Sequence, residues 1–231
     1  MTGSVLSLHR FPVKSLRGER LDVSVVDERG LVGDRLWSVR DPDGKLGSGK
    51  STRRFRRMGG LLDLSARYDG QVPVISFGSR RTVRGDDPGV HAALSEHVGR
   101  PVTLAREESV SHFDEGPLHL VTTASLDTMA RAHGHAVDVR RTRANVVLSW
   151  DGDGFPELGW LGRRLLVGDE VVLRVRDAMP RCVMVNAAQG DLPADGSLLQ
   201  SITEVSAGAL GVVADVEQGG RIAVGDEVRL V

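Results

Sequence analysis

Residues 163–177 read RRLLVGDEVVLRVRD, and this stretch decides the fold class because apolar residues flank a Gly-Asp turn on both sides. We interpret it as a strand, a tight turn at Gly168 and Asp169, and a second strand. The pentapeptide VGDEV recurs at 224–228, inside GGRIAVGDEVRLV, and predicts a second corner of the same kind. We interpret the two copies as the same type of turn occurring twice in a β-rich fold. A repeat with a function of its own is the less favoured alternative.

Outward from this stretch, the pattern predicts short strands and few helices. Alternating apolar and polar residues predict strands at 5–10, 20–26, 36–40, 61–68, 72–77 and 81–84, and apolar runs predict strands at 117–123 and 144–150. One helix is predicted from Asp87, as N-cap, to Gly99, and a second ends at Gly134. Because strands and helices do not alternate, we expect a mainly β (α+β) fold and not a doubly wound parallel sheet.

The composition excludes several classes of protein. Of the 231 residues, 40% are apolar and 26% are charged, which indicates a folded globular protein. The net charge of −1 provides no general attraction to nucleic acid or to an acidic membrane, so we expect neither partner. The single cysteine, Cys182, excludes an intramolecular disulfide. With no signal-like N-terminus and no long apolar run, the sequence predicts a cytoplasmic location.

Residues 44–51 read GKLGSGKS and match the phosphate loop G-x-x-x-x-G-K-[ST]. That loop grips phosphate only where a strand leads through it into a helix. Here two glycines, at 59 and 60, soon follow Ser51, so we predict a glycine-rich connection between strands. The basic stretch from Lys50 to Arg57 has three interpretations: a solvated loop, which we favour, a nucleic-acid patch, or a rim beside some other anionic ligand.

Cys182 stands in DAMPRCVMVN, directly after Pro180 and Arg181. A lone cysteine is ordinarily a small buried hydrophobe. A neighbouring guanidinium, however, favours the thiolate, which binds metals and attacks as a nucleophile. The histidines give no second candidate, because His133 and His135 are two residues apart and cannot share one helix face.

Five stretches and a closing strand occur in a characteristic order: FPVKSLRG (11–18), GDRLW (33–37), LVTTASL (120–126), RTRANVVLS (141–149), PRCVMVN (180–186) and AVGDEVRLV (223–231). Together they resemble the MOSC-domain family, the molybdenum-cofactor sulfurase C-terminal domain proteins. The resemblance is to the two-part form found in the amidoxime-reducing component and its bacterial relatives. It implies a MOSC-type β-barrel over 111–231, preceded by a MOSC N-terminal β-barrel-like segment over 1–110.

The resemblance also implies a site for the molybdenum cofactor, molybdenum held by molybdopterin. Cys182 would be the metal ligand and the catalytic residue. The implied cofactor-binding residues are Lys14, Ser15, Arg35, Thr122, Ser125, Arg143, Asn145 and Arg181. Plainer interpretations stay open: Lys14 and Arg35 as surface charges, Arg143 paired with Asp138 or Asp151, and Thr122 and Ser125 as helix caps.

By the same resemblance, the chain is expected to be a reductase of small N-hydroxylated or N-oxide compounds. A separate flavin or iron–sulfur protein would supply the electrons. The alternative is a carrier that holds the cofactor, or passes sulfur as a Cys182 persulfide, without reductase activity. Pyridoxal phosphate binding is attached to the family only as a general domain term, and no residue of this chain is assigned to it.

Overall fold

Short β-strands make up much of the chain, and the computed structural model describes residues 2–79 and 81–231. The strands are, in chain order, β1 (Thr2–Arg10), β2 (Glu19–Leu21), β3 (Val23–Asp27), β4 (Gly30–Leu31), β5 (Trp37–Arg40), β6 (Leu46–Ser48), β7 (Phe55–Arg57), β8 (Leu64–Asp69), β9 (Val72–Phe77), β10 (Arg81–Arg84), β11 (Thr103–Arg106), β12 (Leu118–Thr122), β13 (Val146–Ser149), β14 (Arg164–Val167), β15 (Val171–Pro180), β16 (Ala209–Gln218), β17 (Gly220–Ala223) and β18 (Glu227–Leu230).

Helices are few and short. They are α1 (Val90–Val98), α2 (Thr123–His133) and α3 (Leu198–Ser206), with 3-10 turns at Leu61–Asp63, Val139–Arg141, Pro156–Trp160 and Val183–Asn186. The predicted end of α2 is confirmed, because Gly134 adopts φ 87° and caps it. For α1 the N-cap is Gly89 and not Asp87, whose carboxylate accepts a hydrogen bond from the Gly89 N–H in the preceding turn. None of the helices in the described part of the chain is long and apolar enough to cross a bilayer.

Seven strands close into a barrel, in the order β13, β12, β16, β15, β14, β18, β1 and back to β13. Neighbours are antiparallel except β12 and β13, and β2 is added outside on β1. The predicted mainly β fold with a MOSC-type barrel is confirmed. Alternate side chains fill the interior, among them Leu165 and Val167 of β14 and Leu173 and Val175 of β15, all 0% exposed.

The two VGDEV segments both form corners, but of different kinds. The first joins β14 to β15, which pair directly in the barrel. The second leads from β17, which pairs with β3 in another sheet, into β18 of the barrel. Gly168 and Gly225 adopt φ 59° and 93°, so both corners use backbone that favours glycine.

A second core lies among residues 13–104, where α1 packs against two small sheets of strands β8–β10 and of β5, β6, β7 and β11. Val13 and Leu16 are 0% exposed in this core, while β1, just before them, belongs to the barrel. The intervening residues therefore lie where the two units meet. Since β1 is in the barrel, and β3 pairs with β17 in a sheet that packs on the barrel core, the barrel unit uses strands from both parts of the chain. The division into 1–110 and 111–231 stays a prediction.

The segment that matches the phosphate loop forms a connection between strands. Its centre, Leu46–Ser48, is β6, and the chain continues through a loop into β7. No helix begins between Ser51 and Phe55. The predicted glycine-rich connection between strands is confirmed, and the strand-to-helix arrangement of a phosphate loop is not present between β6 and β7.

Candidate functional site

A cavity of about 220 Å³ lies where one end of the barrel meets the N-terminal sheets. Its walls are Lys14, Ser15, Arg35, Ser48, Lys50, Asp114, Glu115, Thr142, Arg143, Met179, Pro180, Arg181, Cys182 and Met184. We call it the Cys182 cavity. It gathers the only cysteine and eight basic or hydroxyl residues from five separate places in the sequence.

The strands bring these residues together by ending at the same place. Lys14 follows β1, Arg143 precedes β13, and Arg181 and Cys182 directly follow β15. Strands β1 and β13 pair antiparallel, with Leu8 opposite Val146, so the end of one strand meets the start of the other. The barrel therefore fixes the backbone of the cavity wall, and the side chains of these residues can point into the cavity.

Three cavity residues have left-handed backbone, which disfavours side chains. Ser15, Arg35 and Arg143 adopt φ 65°, 51° and 55°. In the described part of the chain one further non-glycine residue does so, Ala207, which caps the end of α3. Such backbone costs of the order of 1 kcal/mol per residue and is concentrated at functional sites. Because three such residues line one cavity, we infer that their backbone holds the side chains in position to bind a ligand.

Lys14 and Arg35 are cations held by acidic partners. Lys14 is 2% exposed, and its Nζ lies 2.8 Å from Asp114 Oδ2. Arg35 is paired with the fully buried Asp34, and its Nη2 donates to the Arg143 carbonyl at 3.2 Å. Lys14 is therefore not the surface charge of the plainer interpretation, and Arg35 is anchored at the base of the cavity.

Two further guanidinium groups lack partners for several of their N–H groups. Arg143 Nη1 and Nη2, and Arg181 Nε and Nη1, are out of contact with solvent and have no hydrogen-bond partner among the described residues. Arg143 lies over the Phe11 ring at 4.3 Å and forms no ion pair with Asp138, which binds Arg140, or with Asp151. Buried donors without acceptors lower the stability of the fold, and together these N–H groups form a binding site suited to an anion.

Burial is the main cause of the lowered pKa values of these cations, and repulsion between them adds to it. Burial, aided by Arg35 and Arg143 and opposed by the attraction of Asp114, lowers the pKa of Lys14 to about 8. Burial, followed by repulsion from Arg35, lowers the pKa of Arg143 to about 9. Burial likewise lowers the pKa of Arg181 to about 10. All three groups remain charged at neutral pH, so a bound anion would relieve their repulsion.

Cys182 contributes the one thiol of the cavity wall. It is half-buried, unbridged, and directly follows β15 as the N-cap of the 3-10 turn Val183–Asn186. A thiolate at this position faces a cavity lined by cations and can bind a soft metal or act as a nucleophile.

Three predicted residues lie outside the cavity wall. Asn145 is 1% exposed, and its Oδ1 faces Arg35 Nη1 at 3.4 Å and accepts from the His119 N–H at 3.2 Å, so it supports Arg35 from behind. Thr122 and Ser125 donate their hydroxyl groups to Glu157 Oε2, at 2.7 and 2.6 Å. The side chain of Thr122 also accepts from the Ser125 N–H, which makes it the N-cap of α2.

Two cavity residues were missed by the sequence reasoning or left ambiguous. Asp114 lies in the 107–117 connection, where no periodic pattern gave a signal. Lys50, from the basic stretch, shares the Phe55 ring with Lys14, their Nζ atoms lying 5.3 and 4.7 Å from its centroid. Arg53 lines a different cavity, so the basic stretch reaches the Cys182 cavity through Lys50.

A larger cavity of about 550 Å³ lies next to the Cys182 cavity and shares Arg143 with it. Phe11, Arg17 and Gln189 are in its wall. Arg143 therefore lies between the two cavities.

Comparison with known proteins gives two family matches. The MOSC domain matches residues 90–229, and the MOSC N-terminal beta barrel domain matches residues 2–74. A molybdenum cofactor sulfurase from Oryza sativa subsp. japonica is 26% identical over 233 aligned residues, covering 78% of this chain. The chain spans only 28% of the length of that relative.

Two solved structures are matched. The YUAD protein from Bacillus subtilis has a TM-score of 0.56 and 18% identity, covering 100% of this chain and 96% of its own. YiiM from Geobacillus stearothermophilus has a TM-score of 0.39 and 19% identity, covering 50% of this chain and 54% of its own. The first similarity supports the fold alone.

Proposed function

The chain belongs to the MOSC-domain family, in its two-part form, and from this premise we propose that it binds the molybdenum cofactor in the Cys182 cavity. The observation that carries the proposal is the set of buried, unpartnered guanidinium N–H groups of Arg143 and Arg181 beside a free thiol. The residues present fit the group. Molybdopterin carries a phosphate, which guanidinium donors bind well, and molybdenum accepts thiolate sulfur.

Each residue then has a distinct role. Cys182 would ligate the metal, while Lys14, Arg35, Arg143 and Arg181 would neutralise and orient the anionic parts of the cofactor. Asn145 positions Arg35, and Ser15 ties the cavity wall to β6 through its hydroxyl, which donates to the Gly47 carbonyl at 2.9 Å. The left-handed backbone at Ser15, Arg35 and Arg143 fixes these groups before the ligand arrives, which reduces the ordering cost of binding.

For the reaction, we propose reduction of small N-hydroxylated or N-oxide compounds. The cofactor, when bound, supplies two-electron removal of oxygen from such substrates, and a separate flavin or iron–sulfur protein supplies the electrons. The chain would bind and orient the cofactor through its cations and leave one side of the half-buried Cys182 open to substrate.

A second candidate is a carrier of the cofactor or of sulfur. The accessible Cys182 thiol and the similarity to a protein named as a sulfurase favour it. Here the thiolate would attack the outer sulfur of a persulfide on a separate donor protein. A new S–S bond forms on Cys182 as the donor thiolate leaves, so no further oxidant is required.

Cofactor content tests the proposed binding. The protein is purified from a host that makes the cofactor, and molybdenum and pterin are measured per chain for wild type, Cys182→Ala, Arg143→Met and Lys45→Met. We expect near-stoichiometric loading of wild type and of the Lys45→Met control, which alters a lysine outside the cavity. Arg143→Met should lose at least about 90% of the pterin, and Cys182→Ala should lose molybdenum. Wild-type protein free of both would overturn the proposal.

Turnover separates the two candidate functions. The loaded protein is assayed for reduction of benzamidoxime with an artificial electron donor, with loaded and cofactor-free samples compared. Turnover that follows molybdenum content supports the reductase. A fully loaded protein without turnover, together with detection of a Cys182 persulfide after incubation with a sulfur donor, supports the carrier.

A further inference from the structure

We propose that His133, His135 and Asp195 form a binding site for a divalent transition metal ion of the zinc type, outside the Cys182 cavity. One ligand atom from each of the three residues lies within 4.8 Å of the others. His133 Nε2 is 2.9 Å from Asp195 Oδ2, and the two imidazole rings are 4.0 Å apart between centroids.

The end of α2 explains how two histidines so close in sequence can meet. Their spacing excludes a shared helix face, but it does not exclude a shared site. His133 is the last residue of α2, and Gly134 adopts φ 87° while its N–H bonds the Ala130 carbonyl. This left-handed cap reverses the chain and sets the ring of His135 against that of His133.

Asp195 is oriented so that one oxygen remains for a metal. Its Oδ1 accepts hydrogen bonds from the backbone N–H groups of Ser197 and Leu198, both at 3.1 Å. Its backbone N–H donates to the Asn186 carbonyl at 2.9 Å. These contacts hold the carboxylate in place and direct Oδ2 towards His133.

His133 also has the supporting contact that metal-bound histidines have. Its Nδ1 lies 2.9 Å from the Ser201 hydroxyl of α3. With the proton on Nδ1 donated to Ser201, Nε2 carries the lone pair that a metal needs. The side chains of His133 and Asp195 are 2% and 11% exposed, whereas His135 is exposed. The ion would enter from the His135 side.

The ligand set selects the class of ion. Two imidazole nitrogens and one carboxylate oxygen suit Zn²⁺, Co²⁺ or Ni²⁺, while Mg²⁺ and Ca²⁺ prefer oxygen ligands alone. Around tetrahedral zinc, such ligand atoms are about 3.3 Å apart, given bonds of about 2.0 Å. His133 Nε2 and Asp195 Oδ2, now 2.9 Å apart, would separate slightly to admit the ion, while His135 would move towards it, and water would complete the coordination.

Binding would fasten the segment that follows Cys182. Residues 187–197 connect the 3-10 turn at Val183–Asn186 to α3, and Asp195 is in this connection. An ion shared by α2 and Asp195 would tie that connection to the outside of the barrel. The site would thus stabilise the wall next to the Cys182 cavity without contributing to it.

Zinc titration tests the site. Chelator-treated protein is titrated with ZnCl₂ by calorimetry and with CoCl₂ by visible absorption. All samples carry Cys182→Ser, so that the thiol cannot bind the probe. We expect one ion per chain, a tetrahedral cobalt spectrum, and affinity lowered at least about tenfold by His135→Ala. Because His135 is exposed, this variant should fold normally.

The matched control is His97→Ala, which removes an exposed histidine on α1. It should bind zinc like its parent. Hydrogen exchange adds a second readout, since zinc should slow exchange of the Asp195 amide and of its neighbours in 187–197. Equal affinity of the parent and the His135→Ala protein, or an equal loss in the His97→Ala control, would overturn the proposal. Both results are independent of whether the protein binds molybdenum.

Discussion

Lys14→Met tests how much the protein is destabilised by a buried cation in the wall of the Cys182 cavity. The side chain is 2% exposed, and its Nζ pairs with Asp114 at 2.8 Å. Burial lowers its pKa from 10.5 to about 8, helped by Arg35 and Arg143 and opposed by Asp114. Methionine has a similar length and no charge, so it removes the ionisation with little change of packing.

The size of the effect follows from proton linkage. The folded-state pKa of about 8 lies below the ordinary value of 10.5, and at about 1.4 kcal/mol per pKa unit this difference corresponds to about 3.5 kcal/mol. Between these two pKa values the unfolded chain holds a proton that the folded protein has lost, so the free energy of unfolding rises with pH. Below about pH 8 the destabilisation is fully present.

The assay is urea denaturation of cofactor-free wild type and Lys14→Met at about pH 7 and about pH 10. The free energy of unfolding of wild type, minus that of the variant, should rise by about 2 to 3 kcal/mol over this interval. Titrations common to both proteins cancel in the difference, including Tyr68, whose pKa burial raises to about 12. Lys45→Met should show no such rise. A difference between wild type and Lys14→Met that stays constant to about 0.5 kcal/mol would refute the reasoning.

Two further predictions concern the helix cap and the barrel. Thr122→Val should lower the free energy of unfolding by about 1 to 2 kcal/mol, because α2 loses its N-cap and Glu157 a donor, while molybdenum content stays at the wild-type level. A loss of cofactor at unchanged stability would instead place Thr122 in the binding site. Gly211→Ala should cost about 2 to 3 kcal/mol by chemical denaturation, because at φ 83° the new Cβ would lie 2.4 Å from the Leu120 carbonyl oxygen. Gly78→Ala, at φ 70° with open space around it, should cost about 1 kcal/mol, and equal losses would contradict the steric argument.

Local patterns in the sequence predicted the parts of the fold that local physics decides. The VGDEV corners and the end of α2 depend on glycines whose backbone freedom acts within a few residues. The predicted strand at 20–26 is interrupted at Asp22, because β2 pairs with β1 while β3 pairs with β17. Such partner changes depend on residues about 200 positions away, which no local pattern encodes.

The candidate site shows the same division. Lys14, Arg35, Arg143, Arg181 and Cys182 were predicted through family motifs, and the structure gathers them in one cavity. Spacing and composition could not supply Asp114, because only the three-dimensional course of the 107–117 connection brings it to Lys14. The spacing of His133 and His135 excludes a shared helix face. Their rings meet because the left-handed cap at Gly134, between them, ends α2 and turns the chain.

The pairing of β1 with β18 has a consequence for folding during translation. Residues 2–4 pair with residues 227–229, so the barrel cannot close until almost all of the chain described here has been synthesised. Contacts of such long sequence separation slow folding, and β1 must wait with an unpaired edge while the intervening strands assemble. Lys14 follows β1 and Cys182 follows β15, and these strands are joined through β13, β12 and β16, so the Cys182 cavity forms only after residues 209–218 of β16 have been synthesised.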